Sequence, residues 1–159
     1  MPIIELATHI NAPIEKCFDL ARNIDVHVAS TRHTGETAIA GRTSGLIELG
    51  EWVTWRAKHF GLWQTLTSKI TELEYPNFFT DEMVQGAFKS FRHEHYFFAI
   101  KEETLMKDIF RYESPYGTIL DLVFLQNYMR RLLEKRNQVI KEIAEAPQPP
   151  EGGAINNLK

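Results

Sequence analysis

Apolar and polar residues alternate along much of the first two thirds of the chain, the pattern of β-strands whose successive side chains point to opposite faces. The first alternating run covers residues 3–10. Later runs lie at 36–41, 51–59, 62–73, around 79–83, around 91–97 and around 106–112. Short links rich in turn-forming residues separate them, so we predict an antiparallel sheet of about seven strands.

Apolar residues recur at helical spacing in three further segments. After the first strand, the spacing predicts a helix over about residues 13–22 with Asn11 as its N-cap, and a second short helix that is capped by Asp25 and reaches about Arg32. A long helix is predicted over roughly residues 118–145, where the repeating positions are Leu122, Leu125, Met129, Leu132, Arg136, Val139 and Ile143. The arginine on this stripe is predicted to extend its charged end toward water.

Composition limits what such a chain can be. With 159 residues, 43% hydrophobic and 25% charged, it is long enough for one domain with one sizeable core. We expect that domain at residues 1–145, because the Pro- and Gly-rich segment 146–159 cannot hold a helix and is predicted to be a flexible tail. The formal net charge of −3 gives no electrostatic basis for binding nucleic acid.

The predicted location follows from features that the sequence lacks. No apolar run approaches the roughly 20 residues of a membrane-spanning helix, so membrane insertion is not expected. The first residues show no signal-peptide pattern. Cys17 is the single cysteine, which excludes an intramolecular disulfide. Together these features predict a cytoplasmic protein.

Two histidines stand on the predicted inner face of one strand. In the run Phe91 to Phe97, alternation places His93 and His95 between the two phenylalanines, facing away from water. A turn at residues 101–102 would pair Ile100 with Glu103, and the same ladder would pair His95 with Asp108. A turn near Gly86 would bring Asp81 beside one of the histidines. The sequence therefore predicts an inner-face cluster, referred to below as the polar cluster, that comprises Asp81, His93, His95 and Asp108.

Several local motifs resemble one known superfamily. They are Ala12-Pro13-Ile14-Glu15-Lys16-Cys17-Phe18-Asp19-Leu20 after the first strand, Val53-Thr54-Trp55 with His59-Phe60-Gly61, residues 88–95, Thr104-Leu105-Met106-Lys107-Asp108, and Pro115-Tyr116-Gly117 before the last helix. Over residues 2–145 the chain resembles the SRPBCC superfamily, which includes START lipid-binding domains, pollen-allergen-like proteins and polyketide cyclase-like proteins. The resemblance implies the α+β helix-grip fold, in which a curved antiparallel sheet wraps around a long C-terminal helix.

The polar cluster admits three interpretations. It can be a structural network in which carboxylates orient imidazoles beneath the helix. It can be the polar anchor of a largely apolar ligand pocket. Two histidines and a carboxylate are also metal ligands, but a two-residue spacing on a strand is a weak metal pattern. The sequence therefore predicts no metal and no cofactor.

The resemblance and the inner-face pattern together predict a protein that binds a small or medium hydrophobic molecule, lipid- or polyketide-like, between the sheet and the last helix. The alternative is a cyclase or hydrolase that uses a His–Asp acid–base pair in the same cavity. A regulatory module that contacts a protein partner through residues 42–50 or through the tail is a third class. The residues predicted to contact the ligand are Trp55, His59, Asp81, Met83, Phe91, His93, His95, Phe97, Asp108, Phe110, Tyr112, Leu125 and Tyr128.

Overall fold

The computed structural model describes residues 1–115 and 119–148. Seven strands form one antiparallel sheet in the order β1-β7-β6-β5-β4-β3-β2. This confirms the predicted α+β class and strand number. The strands are β1 (Ile3–Ile10), β2 (Thr37–Gly41), β3 (Trp52–His59), β4 (Leu62–Glu74), β5 (Phe78–Gln85), β6 (Ser90–Ile100) and β7 (Glu103–Glu113).

Two short helices follow β1, as predicted, but their caps differ from the prediction. Helix α1 (Ile14–Ala21) begins after Pro13, and the backbone N–H of Asn11 instead donates to Glu145 Oε1 at 2.8 Å. Helix α2 (Ile24–Ser30) is capped by Asn23, whose Oδ1 accepts from two backbone N–H groups of the first turn at 2.9 and 3.2 Å. Asn23 has the extended backbone that an N-cap requires, whereas Asp25, the predicted cap, lies inside the helix.

The long C-terminal helix is present as α3 (Ile119–Glu145). It contacts β1, α1 and α2, and so covers the inner face of the curved sheet as the helix-grip fold requires. Three parts of the sequence-based prediction lie outside the described residues. They are the motif residues 116–117, the predicted helix start at residue 118 and most of the predicted tail, residues 149–159. Within the described part of the chain, no helix combines the length and the apolarity needed to cross a membrane.

Two hydrophobic clusters flank the centre of the inner face. The larger one joins α1 and the C-terminal end of α3 to the sheet through residues such as Phe18, Phe79, Phe97, Met106 and Ile140. The smaller one contains Ile4, Phe91, Phe110, Tyr112 and Leu133. On β6 and β7, the positions between the two clusters are occupied by buried polar residues, which is where the polar cluster lies.

The strand register agrees with the sequence argument. β6 and β7 pair without a shift from Ser90–Glu113 to Ile100–Glu103, so His95 lies opposite Asp108 as predicted. On the other side of β6, Asp81 lies opposite His93. The β4–β5 ladder contains two register shifts. They do not affect the alignment of Asp81 with His93, which is set by the pairing of β5 with β6. All four predicted members of the polar cluster therefore lie on three adjacent strands.

Candidate functional site

A cavity of about 230 Å³ lies between the inner face of the sheet and α3. Its wall is mainly apolar, with aromatic residues from the strands facing leucine and methionine side chains of α3. Eight of the thirteen residues predicted to contact a ligand line it. They are Trp55, His59, Asp81, Phe91, His93, Phe110, Leu125 and Tyr128.

The other five predicted residues lie elsewhere. His95 lines a smaller neighbouring cavity of about 100 Å³, and Asp108 is buried beneath both histidines. Met83, Phe97 and Tyr112 pack in or against the hydrophobic clusters instead of lining the main cavity. Alternation along a strand identifies the buried face, but it does not say which part of that face lies opposite an empty volume.

Short contacts link the polar cluster. His93 Nε2 and Asp108 Oδ1 lie 3.0 Å apart, and His95 Nε2 and Asp81 Oδ2 lie 2.9 Å apart. His95 Nδ1 also lies 3.0 Å from Asp108 Oδ1, but it is poorly aligned for a hydrogen bond and has no hydrogen-bond partner among the described residues. His93 Nδ1 is 3.8 Å from Asp81 Oδ2. The two imidazoles are thus held between two carboxylates.

Two residues of α3 complete the network around Asp108. Arg136 Nη1 donates to Asp108 Oδ1 at 3.3 Å, and Asn137 Nδ2 donates to Asp108 Oδ2 at 2.6 Å. Arg136 is only 6% exposed, so the prediction that its charged end reaches water is wrong. The buried carboxylate on β7 binds the guanidinium instead. The sequence analysis did not predict a role for Asn137. The feature that could have indicated one is its position next to Arg136, a charged residue on the apolar stripe of the helix.

Burial and charge set the protonation states in the polar cluster. Burial alone would raise the pKa of the Asp108 carboxyl, but the hydrogen bond from His93, the close ring of His95 and the charge of Arg136 hold that pKa well below its usual range. The pKa of Asp81 is also lowered, because the two histidines outweigh the effect of burial. Burial, reinforced by the neighbouring His95, lowers the pKa of His93 to about 4. Near neutral pH both carboxylates are therefore ionised and His93 is neutral.

The cavity has a second polar wall, which sequence reasoning missed in part. His27 from α2 contacts Glu36, and both side chains line the cavity. Nearby, His59 Nδ1 and the Tyr128 hydroxyl lie 2.6 Å apart, which joins the end of β3 to α3. His27 lies in the short helix α2 and Glu36 directly before the short strand β2, and neither element is long enough for its periodicity to show which side chains face the cavity. Their orientation therefore left no signal in the sequence.

The pH dependence of stability tests the pair of Glu36 and His27. Burial raises the pKa of the Glu36 carboxyl, but the charge and hydrogen bond of His27 outweigh burial and leave that pKa below its ordinary value of 4.5. A lowered carboxyl pKa stabilises the fold above the unfolded-state value, and this stabilisation is lost as the pH falls through the folded-state value. We therefore expect Glu36→Gln to reduce the free energy of unfolding near neutral pH, with a difference from wild type that shrinks below pH 4.5.

Urea unfolding at a series of pH values measures this difference. The matched control is the same substitution in a His27→Gln background, where most of the pH dependence should disappear because the main cause of the lowered pKa has been removed. A difference between wild type and Glu36→Gln that stays constant down to acidic pH would contradict the assignment.

Comparisons with known proteins agree with the architecture. TTHA0849 from Thermus thermophilus is 17% identical, with 89% of this chain and 95% of that chain covered and a TM-score of 0.73. Protein CV1439 from Chromobacterium violaceum is 8% identical, with 91% and 98% covered and a TM-score of 0.70. Major latex-like protein 151 from Panax ginseng is 15% identical, with 91% and 98% covered and a TM-score of 0.65. No protein-family model and no curated protein sequence matches the chain.

Proposed function

We propose that this chain, which has the helix-grip fold of the SRPBCC superfamily, binds a small or medium hydrophobic molecule, lipid- or polyketide-like, between its sheet and α3. The observation that carries the proposal is the mainly apolar cavity with a few placed polar groups, the usual composition of a small-molecule site. Its volume of about 230 Å³ is below the roughly 300–1,000 Å³ of drug-sized pockets, which favours compounds of modest size.

Different parts of the wall have different roles in this proposal. Trp55, Phe91 and Phe110 offer apolar surface, and burial of such surface contributes about 25 cal/mol per Å² before ordering costs are subtracted. His59, Asp81 and His93 lie on the wall, where they would orient the polar groups of a ligand. Affinity would therefore come mainly from the apolar wall, and orientation from the two imidazoles and the Asp81 carboxylate.

The enzymatic alternative is supported by one observation. His93 lines the cavity, is neutral near pH 7 and contacts the ionised Asp108, so it can accept a proton from a bound compound, and its pKa of about 4 makes it a weak general base. Incubating the protein with a lipid and polyketide panel and analysing the recovered compounds by mass spectrometry would detect such activity as chemical conversion of a bound compound.

Filling the cavity tests the binding proposal. Ala57 is buried on the inner face of β3 and lines the cavity, so Ala57→Phe should occupy part of its volume. We expect wild type to bind apolar members of a lipid and polyketide panel in thermal-shift and native mass spectrometry experiments, and Ala57→Phe to weaken that binding at least about tenfold, equivalent to about 1.4 kcal/mol.

The control for this experiment is Ala7→Phe, which places the same ring on the exposed face of β1 and should leave binding unchanged. The absence of binding of any apolar compound to wild type would refute the proposal. Equal binding by wild type and Ala57→Phe would place the ligand outside this cavity.

Other expectations also belong to the proposal. We propose that residues 1–145 act as one domain, that the chain resides in the cytoplasm, and that its partner is a small molecule, not nucleic acid. The buried Cys17 and the net charge of −3 support the last two points.

A further inference from the structure

Short nitrogen–oxygen contacts join the four side chains of the polar cluster. Three nitrogen–oxygen distances between the two imidazoles and the two carboxylates are 3.0 Å or less. His95 Nδ1 is nevertheless a buried nitrogen without a hydrogen-bond partner among the described residues.

Carboxylates outnumber the guanidinium in the polar cluster. Asp81 and Asp108 contribute two negative charges, while Arg136 contributes one positive charge. Negative charge in a largely buried position is costly unless it is paired. A cation bound against the Asp81 carboxylate would therefore be electrostatically favoured.

We infer that the polar cluster is a binding site for one divalent transition-metal ion of the zinc type, with Asp81 Oδ2, His93 Nδ1 and His95 Nε2 as its ligands. Atoms that these three residues offer as ligands lie within 4.8 Å of one another. Bonds of about 2.0–2.1 Å to a tetrahedral ion would separate its donors by about 3.4 Å. The distances of 2.9 and 3.8 Å from Asp81 Oδ2 to the two nitrogens fall on either side of that value.

Asp108 supports this arrangement from the opposite side of both rings. Histidine ligands of metals usually donate their second ring N–H to a carboxylate or carbonyl, which fixes the tautomer and the ring orientation. With the ion bound, His93 Nε2 and His95 Nδ1 would each carry the hydrogen, and both lie 3.0 Å from Asp108 Oδ1. His93 Nε2 already makes this hydrogen bond, whereas the His95 ring would have to turn to align its N–H with the carboxylate. Arg136 and Asn137 hold that carboxylate in place. The tautomers that metal binding requires would therefore place both ring N–H groups on the Asp108 side.

The proposed ligands lie at cavity walls. Asp81 and His93 line the main cavity, and all three ligands line the smaller neighbouring cavity, whereas Asp108 is buried on the far side of the rings. Two histidines and one carboxylate with an open position form a common donor set of zinc sites that bind water or a substrate. The two-residue spacing of the histidines is a weak metal pattern, from which no metal was expected. A metal site is supported instead by the structure, which places Asp81 beside both histidines and places the Asp108 carboxylate against their other ring nitrogens.

Metal titration of the full-length protein tests the inference. Protein stripped with a chelator, with the chelator then removed, is titrated with Zn²⁺ by calorimetry and with Co²⁺ by visible absorption. We expect wild type to bind one equivalent, and the Co²⁺ spectrum to be that of a four- or five-coordinate ion. Asp81→Asn and His93→Gln should each weaken binding by at least the about 10–100-fold that loss of an outer-shell partner costs.

The controls separate this site from surface binding and from misfolding. His9→Gln removes an exposed histidine that pairs with Glu103, and it should leave the affinity unchanged. The Asp81 side chain is 19% exposed at the cavity surface, so the nearly isosteric Asp81→Asn should fold, which circular dichroism verifies. No one-equivalent binding by wild type, or wild-type affinity in folded Asp81→Asn, would overturn the inference. Apolar ligand binding is measured separately on the metal-free protein, so failure of one proposal leaves the other testable.

Discussion

Replacing Asp108 with alanine is expected to lower the free energy of unfolding by about 3–5 kcal/mol, measured by urea denaturation near neutral pH. Asp108 is 1% exposed and contacts His93, His95, Arg136 and Asn137. Without the carboxylate, the guanidinium of Arg136 stays buried with no opposite charge at hydrogen-bond distance among residues 1–115 and 119–148. The cost arises mainly from that unpaired charge, because the net contribution of a paired buried ion pair is small.

Two comparisons make this expectation specific. Glu82→Ala removes a partly exposed carboxylate that pairs with Arg92 on the outer face of the sheet, and it should cost no more than about 1 kcal/mol. Adding Arg136→Met to Asp108→Ala should recover part of the lost stability, since the buried charge is then absent. A loss of stability for Asp108→Ala no larger than that for Glu82→Ala would show that the polar cluster does not stabilise the fold.

Replacing Phe18 with alanine is also expected to cost about 3–5 kcal/mol, the usual range for removing a fully buried phenylalanine. Phe18 is 0% exposed, and its ring centroid lies 5.2–5.4 Å from those of Tyr75, Phe79 and Phe97. It is the largest of the buried α1 side chains in the larger hydrophobic cluster, which also include Cys17 and Ala21, so its loss should leave a cavity between α1 and the sheet.

The same denaturation measurement on Phe98→Ala provides the control for Phe18. Phe98 lies on the outer face of β6 and is 47% exposed, so its truncation should change stability by less than about 1 kcal/mol. Equal losses for the two variants would mean that α1 contributes little to the core and that the larger hydrophobic cluster tolerates a cavity beside it.

The register of the polar cluster could be predicted because one turn fixed it. β6 and β7 are joined by a two-residue turn in which Lys101 has a φ of 58°, and the ladder that follows contains no shift. Counting residues back along both strands from the turn, from residue 100 to residue 95, therefore gave the correct partner of His95. The β4–β5 ladder has two register shifts, and neither is visible as a residue pattern. A similar argument across β4 would have failed.

What could not be predicted depends on how elements pack against one another. The rotation of α3 about its own axis decides whether Arg136 reaches water or Asp108, and the apolar stripe alone does not fix that rotation to within one residue. The position of the cavity also depends on how the elements pack against one another. Phe97 and Phe91 stand on the same face of one strand, yet the first packs in the larger hydrophobic cluster and the second lines the cavity.

Arg136 also donates to the backbone carbonyl of Ala21, at the end of α1, at 3.1 Å. One guanidinium thus joins the C-terminal helix, the first helix and the acidic group on β7. Arg136 also lines the cavity, so replacing it to change the polarity of the cavity would at the same time weaken the attachment of α1 and α3 to the rest of the fold. Diversification of the pocket for new compounds should therefore begin at Trp55, Ala57 or Leu125, where side chains line the cavity without holding the scaffold together through charge.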